Sequence, residues 1–233
     1  MTTVMRDLVL LHGALGASNQ LDGLASALAP HFRVHQLDFE GHANAPPRGR
    51  PFRIECFAEN VVDLLDALGI NCTSLFGYSM GGYVATYLAL QHPDRVDAVA
   101  TLGTKFRWDP QTAAREASRL DANAIRAKVP RFADTLATRH ENAGGWEAVL
   151  AHTGDLLREL GDHPLLSDGD LARVRQRVRV IVGDRDNTVS VEEGATVAHA
   201  LGVGSLIVLP DTSHPIEQVD LAKLASALRE WFL

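Results

Sequence analysis

Cysteine is scarce in this chain of 233 residues, which contains only Cys56 and Cys72. They provide neither a disulfide framework nor a CxxC motif. They fit a reducing compartment, in which a free cysteine behaves as a small apolar group. No apolar run approaches the roughly 18 residues that would cross a bilayer, and residues 1–7 are too short for a signal peptide before the first predicted strand. We therefore expect a cytoplasmic protein that does not enter a membrane.

Basic residues, and lysine above all, are also in short supply. The chain has 22 lysines and arginines, of which only three are lysines, against 29 acidic residues, and its formal net charge is -7. The arginines are scattered and form no stripe. This balance argues against nucleic acid or an anionic membrane as the main partner. No HExxH or other metal-ligand spacing is present, so the sequence predicts neither a metal nor a cofactor.

Apolar runs of strand length alternate with helical patterns, which indicates a parallel sheet with crossover helices in an α/β fold. The predicted strands cover 8–11, 33–38, 73–76, 97–102, 178–182 and 205–209. The predicted connecting helices cover 20–29, 55–68, 80–91, a stretch from Ser190, and 221–232. Ser190 and Glu193 have the spacing of a helix-capping box.

The alternation stops in the middle of the chain. Residues 104–171 contain no convincing strand. One helix is predicted to begin at Asp109-Pro110, since aspartate is a good N-cap and proline a good first helical residue. Further helical stretches are predicted near 121–140 and 145–160. The sequence therefore predicts one core formed by 1–103 and 172–233, with 104–171 inserted as a helical cap.

A glycine-rich segment, Gly77-Tyr78-Ser79-Met80-Gly81-Gly82, lies between a predicted strand and a predicted helix. A sharp strand-to-helix turn needs small neighbours, which Gly77 and Gly81 supply. Such a turn would present the Ser79 hydroxyl above the sheet, at the positive end of the next helix. The alternative is an ordinary glycine-rich turn with a solvated serine. The context favours Ser79 as a nucleophile.

A serine nucleophile needs a base, and His214 directly after the last strand is the best of ten histidines. The carboxyl edge of a parallel sheet is where ligands bind. His12 is also at a strand end, where it would order the turn, and His42 could line the same cleft. The base in turn needs a carboxylate to orient it, and Asp186 or Asp184 after the fifth strand could provide it.

An oxyanion hole needs two hydrogen-bond donors aimed at the developing charge. The backbone N–H of Met80, directly after the nucleophile, is one candidate. The backbone N–H of Ala14 is the other, because Gly13 and Gly16 allow the backbone of that loop to approach a substrate closely. The alternative for residues 12–16 is a simple turn that contains glycine.

Five short motifs are spread over nearly the whole chain. They are Leu-His-Gly at 11–13, Gly-Tyr-Ser-Met-Gly-Gly at 77–82, His-Pro-Asp-Arg-Val at 92–96, Gly-Asp-Arg-Asp at 183–186 and Ser-His-Pro at 213–215. With these motifs the chain resembles the α/β-hydrolase family, whose triad order is nucleophile, acid, base. The resemblance implies Ser79, Asp186 and His214 as the triad, and a sheet with helices on both faces. It also implies water-mediated release of an acyl-enzyme without a cofactor.

The chain departs from that family in two places. Only residues 1–6 precede the first core strand, so we expect a sheet of about six strands, smaller than the family's usual eight. The loop after the second strand usually reads Asp-x-x-Gly-x-Gly-x-Ser, but here Ala43 and Ala45 replace the second glycine and the serine. This loop therefore carries little information about the substrate.

The cap contains several large aromatic side chains, Phe106, Trp108, Phe132 and Trp146. They could form an apolar substrate pocket or the small core of the cap itself. The candidate pocket residues are His12, His42, Tyr78, Phe106, Trp108 and Trp146.

The sequence thus predicts a serine hydrolase that cleaves a carboxylic ester or thioester of a small-to-medium, partly apolar molecule. Its partner is a small-molecule substrate, and the oligomeric state is left open.

One alternative is carbon–carbon bond cleavage or elimination with the same triad, since the motifs at 11–16 and 77–82 are similar to those of menaquinone-pathway synthases in the superfamily. That chemistry calls for arginines facing Ser79, for which the candidates are Arg107, Arg126, Arg131 and Arg139. A ligand-sensing binding module is the other alternative, and an exposed apolar patch beside the cap would mark it.

Overall fold

The computed structural model describes residues 5–233, so Met1–Val4 of the predicted core lie outside the described residues. Six strands form the central sheet: β1 (Arg6–Leu11), β2 (Phe32–Leu37), β3 (Thr73–Tyr78), β4 (Val96–Leu102), β5 (Arg177–Gly183) and β6 (Gly204–Leu209). Their order is β2-β1-β3-β4-β5-β6, and every neighbouring pair is parallel. The predicted fold class and the reduced strand number are confirmed.

Helices cover both faces of this sheet. Those that connect core strands, or end the chain, are α1 (Asp22–Leu28), α2 (Ile54–Leu68), α3 (Met80–Gln91), α9 (Val191–Ala200) and α10 (Leu221–Phe232). The helices between β4 and β5 are α4 (Pro110–Ala117), α5 (Ala122–Lys128), α6 (Pro130–Arg139), α7 (Trp146–Asp162) and α8 (Asp168–Leu171). We refer to residues 104–171 as the cap.

The two faces of β1 show how the core is divided. Successive side chains of a strand point to opposite faces, and all four apolar residues of β1 from Leu8 to Leu11 are fully buried. Leu8 and Leu10 belong to the apolar cluster with α1 and α10. Val9 and Leu11 belong to the cluster with α2 and α3. A strand buried on both faces needs a continuous apolar run, which explains why the strands are readable from the sequence.

The predicted helix over 121–140 is wrong as a single element, because it breaks before Pro130. Proline has no N–H and disfavours helical geometry at the residue before it. Val129 accordingly has φ -139° and ψ 61°, and Pro130 becomes the first residue of α6. The predicted helix over 20–29 is also shorter than expected, since residues 18–21 form a 3₁₀ turn ahead of α1.

Glu193 links the cap to the core. The Ser190 hydroxyl accepts a hydrogen bond from the Glu193 N–H and caps α9 as the spacing predicts. The Glu193 carboxylate does not close the other half of a capping box. It accepts hydrogen bonds from the backbone N–H groups of Phe106 and Arg107 at 3.0 and 3.1 Å, and pairs with Lys105 Nζ at 2.9 Å. The start of the cap is thereby fixed to α9.

The strand order places two loops opposite each other. The chain passes from β1 to β2 on one side of β1, and β3 lies on the other side. Where the strand order reverses in this way, a crevice opens outside the carboxyl ends of the strands. The loop after β1 and the turn after β3 both reach this crevice.

Among residues 5–233, no helix combines the length and apolar character required to cross a membrane.

Candidate active site

Ser79 occupies the turn between β3 and α3 in a strained conformation. Its φ of 52° and ψ of -117° lie in a region that residues with a side chain rarely adopt. Hydrogen bonds to the backbone of Ser79 hold this geometry. The Ser79 N–H donates to the Leu102 carbonyl at 2.8 Å, and the Ser79 carbonyl accepts from the Gly82 N–H at 3.0 Å and from the Thr104 hydroxyl at 2.9 Å. Thr104, the first cap residue, therefore helps to fix the turn.

The glycines around Ser79 are required by close backbone contacts. A Cβ atom at Gly77 would lie 2.3 Å from backbone atoms of Gly81, and one at Gly82 would lie 2.0 Å from the Thr104 hydroxyl oxygen. A Cβ atom at Gly81 would lie 2.5 Å from the Leu11 carbonyl oxygen. The motif is thus dictated by packing of the turn against β1 and the cap.

His214 and Asp186 form a direct hydrogen bond. His214 follows β6 and Asp186 follows β5, and Nδ1 of the imidazole lies 2.8 Å from Oδ2 of the carboxylate. The other carboxylate oxygen accepts backbone hydrogen bonds from Thr188 at 2.7 Å and Val189 at 2.9 Å. The Asp186 side chain is only 2% exposed, and that of His214 is 18% exposed.

The Asp186 carboxyl is held in its ionised form. Burial alone would raise its pKa, but the hydrogen bond and charge of His214 and the two backbone N–H groups outweigh burial and lower the pKa below its usual value. A buried carboxylate with both oxygens engaged can fix the His214 tautomer, with the proton on Nδ1 and a free lone pair on Nε2.

Asp184, the other candidate for this role, faces a different group. Its carboxylate accepts a hydrogen bond from the Thr212 N–H at 3.2 Å, and its own N–H donates to the Leu209 carbonyl at 3.1 Å. These contacts join the loops after β5 and β6. Asp184 therefore shapes the turn that carries His214, while Asp186 contacts the imidazole.

Ser79 and His214 line one cavity of about 260 Å³. Their side chains are not hydrogen-bonded to each other, and such contacts often tighten only when a substrate is present. Tyr78 helps to position His214. Its hydroxyl donates a hydrogen bond to the His214 carbonyl at 3.1 Å, and its ring centre lies 5.5 Å from the imidazole. The cavity thus brings together the predicted nucleophile and base.

Most of the cavity wall is apolar, and half of the residues that line it belong to the cap. Its aliphatic residues are Ala14, Leu15, Ile54, Leu120, Leu156, Leu157 and Leu160. The charged residues on the wall are Lys105, Glu116 and Arg119. Lys105 is paired with Glu193 at 2.9 Å, and Arg119 with Glu116 at 2.7 Å. This wall could not be predicted from the sequence: helical spacing shows that the leucines of α7 share a face, but it does not distinguish a cavity from a core.

Of the aromatic pocket candidates, Tyr78 and Trp108 line the cavity, whereas Phe106 and Trp146 do not. Phe106 is fully buried in the core, with its ring centre 5.8 Å from that of Tyr83. Trp146 packs in a separate apolar cluster inside the cap. Phe132, the fourth large aromatic of the cap, is 42% exposed.

His12 and His42 also lie behind the cavity wall rather than on it, and both are fully buried. His12 Nε2 accepts a hydrogen bond from the Phe39 N–H at 3.1 Å, so its proton is on Nδ1, which donates to the Gly13 carbonyl at 2.8 Å. His42 stacks on Phe52 with ring centres 4.9 Å apart. His12 thus orders the loop after β1, as its position suggested.

The two backbone N–H groups predicted to bind an oxyanion are free of protein acceptors. Within residues 5–233, neither the Met80 N–H nor the Ala14 N–H donates a hydrogen bond. Both residues line the cavity together with Ser79. The carbonyl of Gly13 is held by His12 and by the Gly16 N–H at 3.1 Å, which fixes the peptide that carries the Ala14 N–H.

The four arginines considered for carboxylate binding lie off the cavity wall. Arg107 pairs with Asp168 and Arg126 pairs with Glu147. Arg131 is exposed, and Arg139 donates to the Leu15 carbonyl at 2.9 Å. Over the described part of the chain, no three histidine, cysteine or acidic side chains are grouped in a way that could hold a metal ion.

Three buried histidines, His12, His42 and His140, predict that stability falls in mild acid. Burial lowers the pKa of His12 to about 4, that of His42 well below its ordinary value, and that of His140 as well. Unfolding restores a pKa near 6.5, so the unfolded chain takes up protons that the folded chain excludes. Stability is therefore nearly complete at pH 7.5 and decreases as the pH falls through 6.5 towards 4; His12 alone contributes about 2 kcal/mol of loss between pH 7.5 and 5.

Urea unfolding at pH values from 7.5 to 5 measures this effect. His42→Phe should reduce the pH dependence, because His42 Nε2 has no hydrogen-bond partner among the described residues and its ring already packs against phenylalanines. The matched control is His152→Phe at an exposed position, which should leave the dependence unchanged. A free energy of unfolding that stays constant from pH 7.5 to 5 contradicts the prediction.

Comparison with known proteins identifies the family. A pimeloyl-(acyl-carrier protein) methyl ester esterase from Aeromonas hydrophila is 38% identical over 99 residues, which are 42% of this chain and 37% of that protein. The protein of the same name from Chromobacterium violaceum is 30% identical over 230 residues, which are 89% of this chain and 87% of that protein. The match with the Aeromonas protein therefore spans little more than a third of its length.

Solved structures share the fold at low sequence identity. The enol-lactonase from Burkholderia xenovorans LB400 superposes with a TM-score of 0.78 and 22% identity, over 98% of this chain and 92% of that chain. A family model described as the alpha/beta hydrolase fold matches residues 8–172. With the sheet order and this match, the chain belongs to the α/β-hydrolase fold family.

Proposed function

We propose that this chain is a serine hydrolase that cleaves a carboxylic ester or thioester by way of an acyl-enzyme. Ser79 is the nucleophile, His214 the general base and acid, and Asp186 the group that orients His214. The observation that carries the proposal is the 2.8 Å hydrogen bond between His214 Nδ1 and Asp186 Oδ2, with His214 and Ser79 lining one cavity. The esterase names of the sequence relatives support the same reaction class.

The chemistry follows from where the proton is held. Because Nδ1–H of His214 donates to Asp186, Nε2 is free to take the proton of the Ser79 hydroxyl as its oxygen attacks the carbonyl carbon. The resulting imidazolium lies beside an ionised, buried carboxylate, which stabilises it. Collapse of the tetrahedral intermediate breaks the ester bond, and His214 returns the proton to the leaving alcohol or thiol. Water, activated in turn by His214, then releases the acid.

The negative charge on the carbonyl oxygen is stabilised by the N–H groups of Met80 and Ala14. Neither N–H donates to an acceptor in residues 5–233, and Met80, which lines the cavity, begins α3 and lies at its positive end. Donors that are fixed before the reaction need no reorganisation when the charge develops. One such donor typically contributes about 2.7–4 kcal/mol to transition-state stabilisation.

The cavity wall favours an acyl group of medium length. Leucines of the cap, most of them from α7, line the cavity next to Ser79. Burial of each methylene of an acyl chain against them contributes about 0.8 kcal/mol. The relatives are named for a methyl ester, so esters of medium-chain acids are the first substrates to test.

The lyase alternative is less well supported by the site. It calls for several arginines facing Ser79, but Arg119 is the only arginine of residues 5–233 on the cavity wall, and it is already paired with Glu116. The apolar wall suits a hydrocarbon chain better than a dicarboxylate.

The ligand-sensing alternative also has little support. Two neighbouring apolar side chains of the cap, Val129 and Phe132, are 48% and 42% exposed. A pair of this kind is common on soluble proteins and does not form a large patch.

A chain-length series tests the proposed function. With p-nitrophenyl esters of two to twelve carbons, we expect kcat/KM to rise by up to about fourfold per methylene, which is the 0.8 kcal/mol of each buried group, and to fall once the chain exceeds the cavity. An initial burst of p-nitrophenol equal to the enzyme concentration is expected where deacylation is slow. Leu157→Trp, which fills part of the cavity, should move the optimum to shorter chains.

The control for this series is the Ser79→Ala protein, which gives the background rate of ester hydrolysis. Rates that do not exceed this background for any ester contradict the proposed function. A profile independent of chain length contradicts the assignment of the apolar wall to the acyl group.

A further inference from the structure

The carbonyl oxygen of Leu15, in the loop after β1, is held by two side chains of the cap. Arg139 Nη1 donates to it at 2.9 Å and His140 Nε2 at 3.0 Å. Arg139 is the last residue of α6, and His140 is the residue that caps its end. Leu15 itself has a φ of 57°, a conformation that costs energy for a residue with a side chain. The cap therefore helps to hold this loop in a conformation that it would not readily adopt alone.

His140 uses both of its ring nitrogens to join three segments. Its Nδ1 accepts a hydrogen bond from the Ala43 N–H at 3.0 Å, so Nδ1 carries no proton and Nε2 must be the donor to Leu15. The ring is fully buried, and burial lowers its pKa. His140 is thus a neutral group with one defined tautomer, fixed between α6, the loop after β2 and the loop after β1.

Arg139 is unusual because its charge is largely buried, while the carboxylate that pairs with it is distant and mostly exposed. Its side chain is 15% exposed, and its nearest acidic partner, Glu217, lies 3.8 Å away. A guanidinium group in such a place needs strong acceptors to offset the loss of water. The Leu15 carbonyl is the acceptor that the structure provides.

The contacts of Arg139 and His140 with the Leu15 carbonyl affect the oxyanion hole through the planar peptide groups between Leu15 and Gly13. In a trans peptide the C=O and the following N–H point in opposite directions. The peptide whose oxygen is the Leu15 carbonyl also contains the Gly16 N–H, which donates to the Gly13 carbonyl at 3.1 Å. The peptide whose oxygen is the Gly13 carbonyl also contains the Ala14 N–H. Holding the Leu15 oxygen towards the cap thus fixes the direction of the Ala14 N–H two peptides away.

We propose that Arg139 and His140 are positioning residues that couple the seating of the cap to the geometry of the oxyanion hole. This inference depends on the proposed function, because the Ala14 N–H matters only if a carbonyl oxygen becomes charged beside Ser79. When α6 moves away from the loop after β1, the Ala14 donor loses its orientation. The enzyme then binds esters as before but stabilises the transition state less well.

The test compares the kinetics of four variants. Arg139→Met and His140→Phe remove the two donors while keeping similar volume. His140→Gln keeps one donor and one acceptor. Arg131→Met is the matched control, an exposed arginine on the same helix with no hydrogen bond from its side chain to the described residues.

We expect Arg139→Met and His140→Phe each to lower kcat about tenfold with KM changed less than threefold, which is part of the 10²–10³-fold effect of losing a whole oxyanion donor. His140→Gln should retain at least half of kcat, and Arg131→Met should match the unmodified protein. The Ki of an alkyl trifluoromethyl ketone, which forms a tetrahedral adduct with an oxyanion, should rise about tenfold in the first two variants. The Ki of the matching secondary alcohol should not change.

A drop in melting temperature without a change in kcat or in the Ki of the ketone overturns the proposal and leaves both residues as structural anchors. If His140→Phe does not fold, Arg139→Met alone decides between these outcomes. If the unmodified protein neither hydrolyses esters nor binds the ketone, the proposed function itself is contradicted.

Discussion

Replacing Ser79 with alanine is expected to lower kcat for ester hydrolysis by about 10⁴–10⁶-fold. The alanine has no oxygen to attack the carbonyl, and the remaining oxyanion donors and cavity can supply only a small part of the acceleration. KM should change little, because the hydroxyl contributes little to binding of the ground state. The rates are measured with the best p-nitrophenyl ester of the chain-length series.

Stability measurements separate this loss of chemistry from a loss of folding. Alanine must adopt the same φ of 52° as serine, so the melting temperature of Ser79→Ala should equal that of the unmodified protein. Ser79→Gly should be inactive as well but melt at a higher temperature, since glycine adopts this conformation without strain. A Ser79→Ala protein with near-normal activity would remove Ser79 as the nucleophile.

Exchanging Asp186 for asparagine has the second-largest expected effect, a decrease in kcat of about 10³–10⁴-fold. The asparagine oxygen can still accept the N–H groups of Thr188 and Val189, so the loop keeps its shape. The carboxylate that held the proton on His214 Nδ1 is gone, and the imidazole loses both its preferred tautomer and the charge that stabilises its protonated form. The same ester assay measures the effect.

Asp184→Asn is the matched control from the same loop. Its side-chain oxygen can still accept the hydrogen bond from the Thr212 N–H, so kcat should stay within about threefold of the unmodified protein, as for other changes that keep a neutral hydrogen bond. If Asp184→Asn is the variant that loses activity and Asp186→Asn is not, the roles assigned to the two aspartates are reversed.

The sequence was most informative where local rules determine structure. Gly77 is required by contact with the backbone of Gly81 and Gly82, within a few residues of Ser79, so the turn is recognisable without knowledge of the rest of the fold. The apolar run of each strand reflects burial on both faces of a parallel sheet, which made the sheet predictable. The positions of Asp186 and His214 then follow from the rule that loops after parallel strands meet at one edge.

The cavity wall could not be read in the same way, because it depends on how the cap lies on the core. Phe106 and Trp108 are two residues apart in a segment without regular structure, and no periodicity indicates that one is in the core and the other on the wall. The apolar side chain of Trp146 would likewise fit either the core of the cap or the cavity wall. His12 and His42 lie near the cavity, as their sequence positions indicate, but they do not line it. Hydrogen bonds and ring contacts that cannot be predicted from the sequence hold them in the core behind the cavity wall.

The contacts of Arg139 and His140 with Leu15 were equally inaccessible. They join residues more than 120 positions apart in the chain, and Arg139 was considered only as a carboxylate-binding candidate. The break at Pro130, by contrast, follows from a local rule and sets the direction of α6 that brings both side chains to the loop.

The reactivity of Ser79 towards a fluorophosphonate, followed by peptide mapping with mass spectrometry, tests the central claim most directly. If His214 and Asp186 activate this hydroxyl, the label is found on the peptide that contains Ser79, and His214→Gln slows labelling by at least about 10³-fold. A label on another residue, or equal labelling rates with and without His214, would contradict the account.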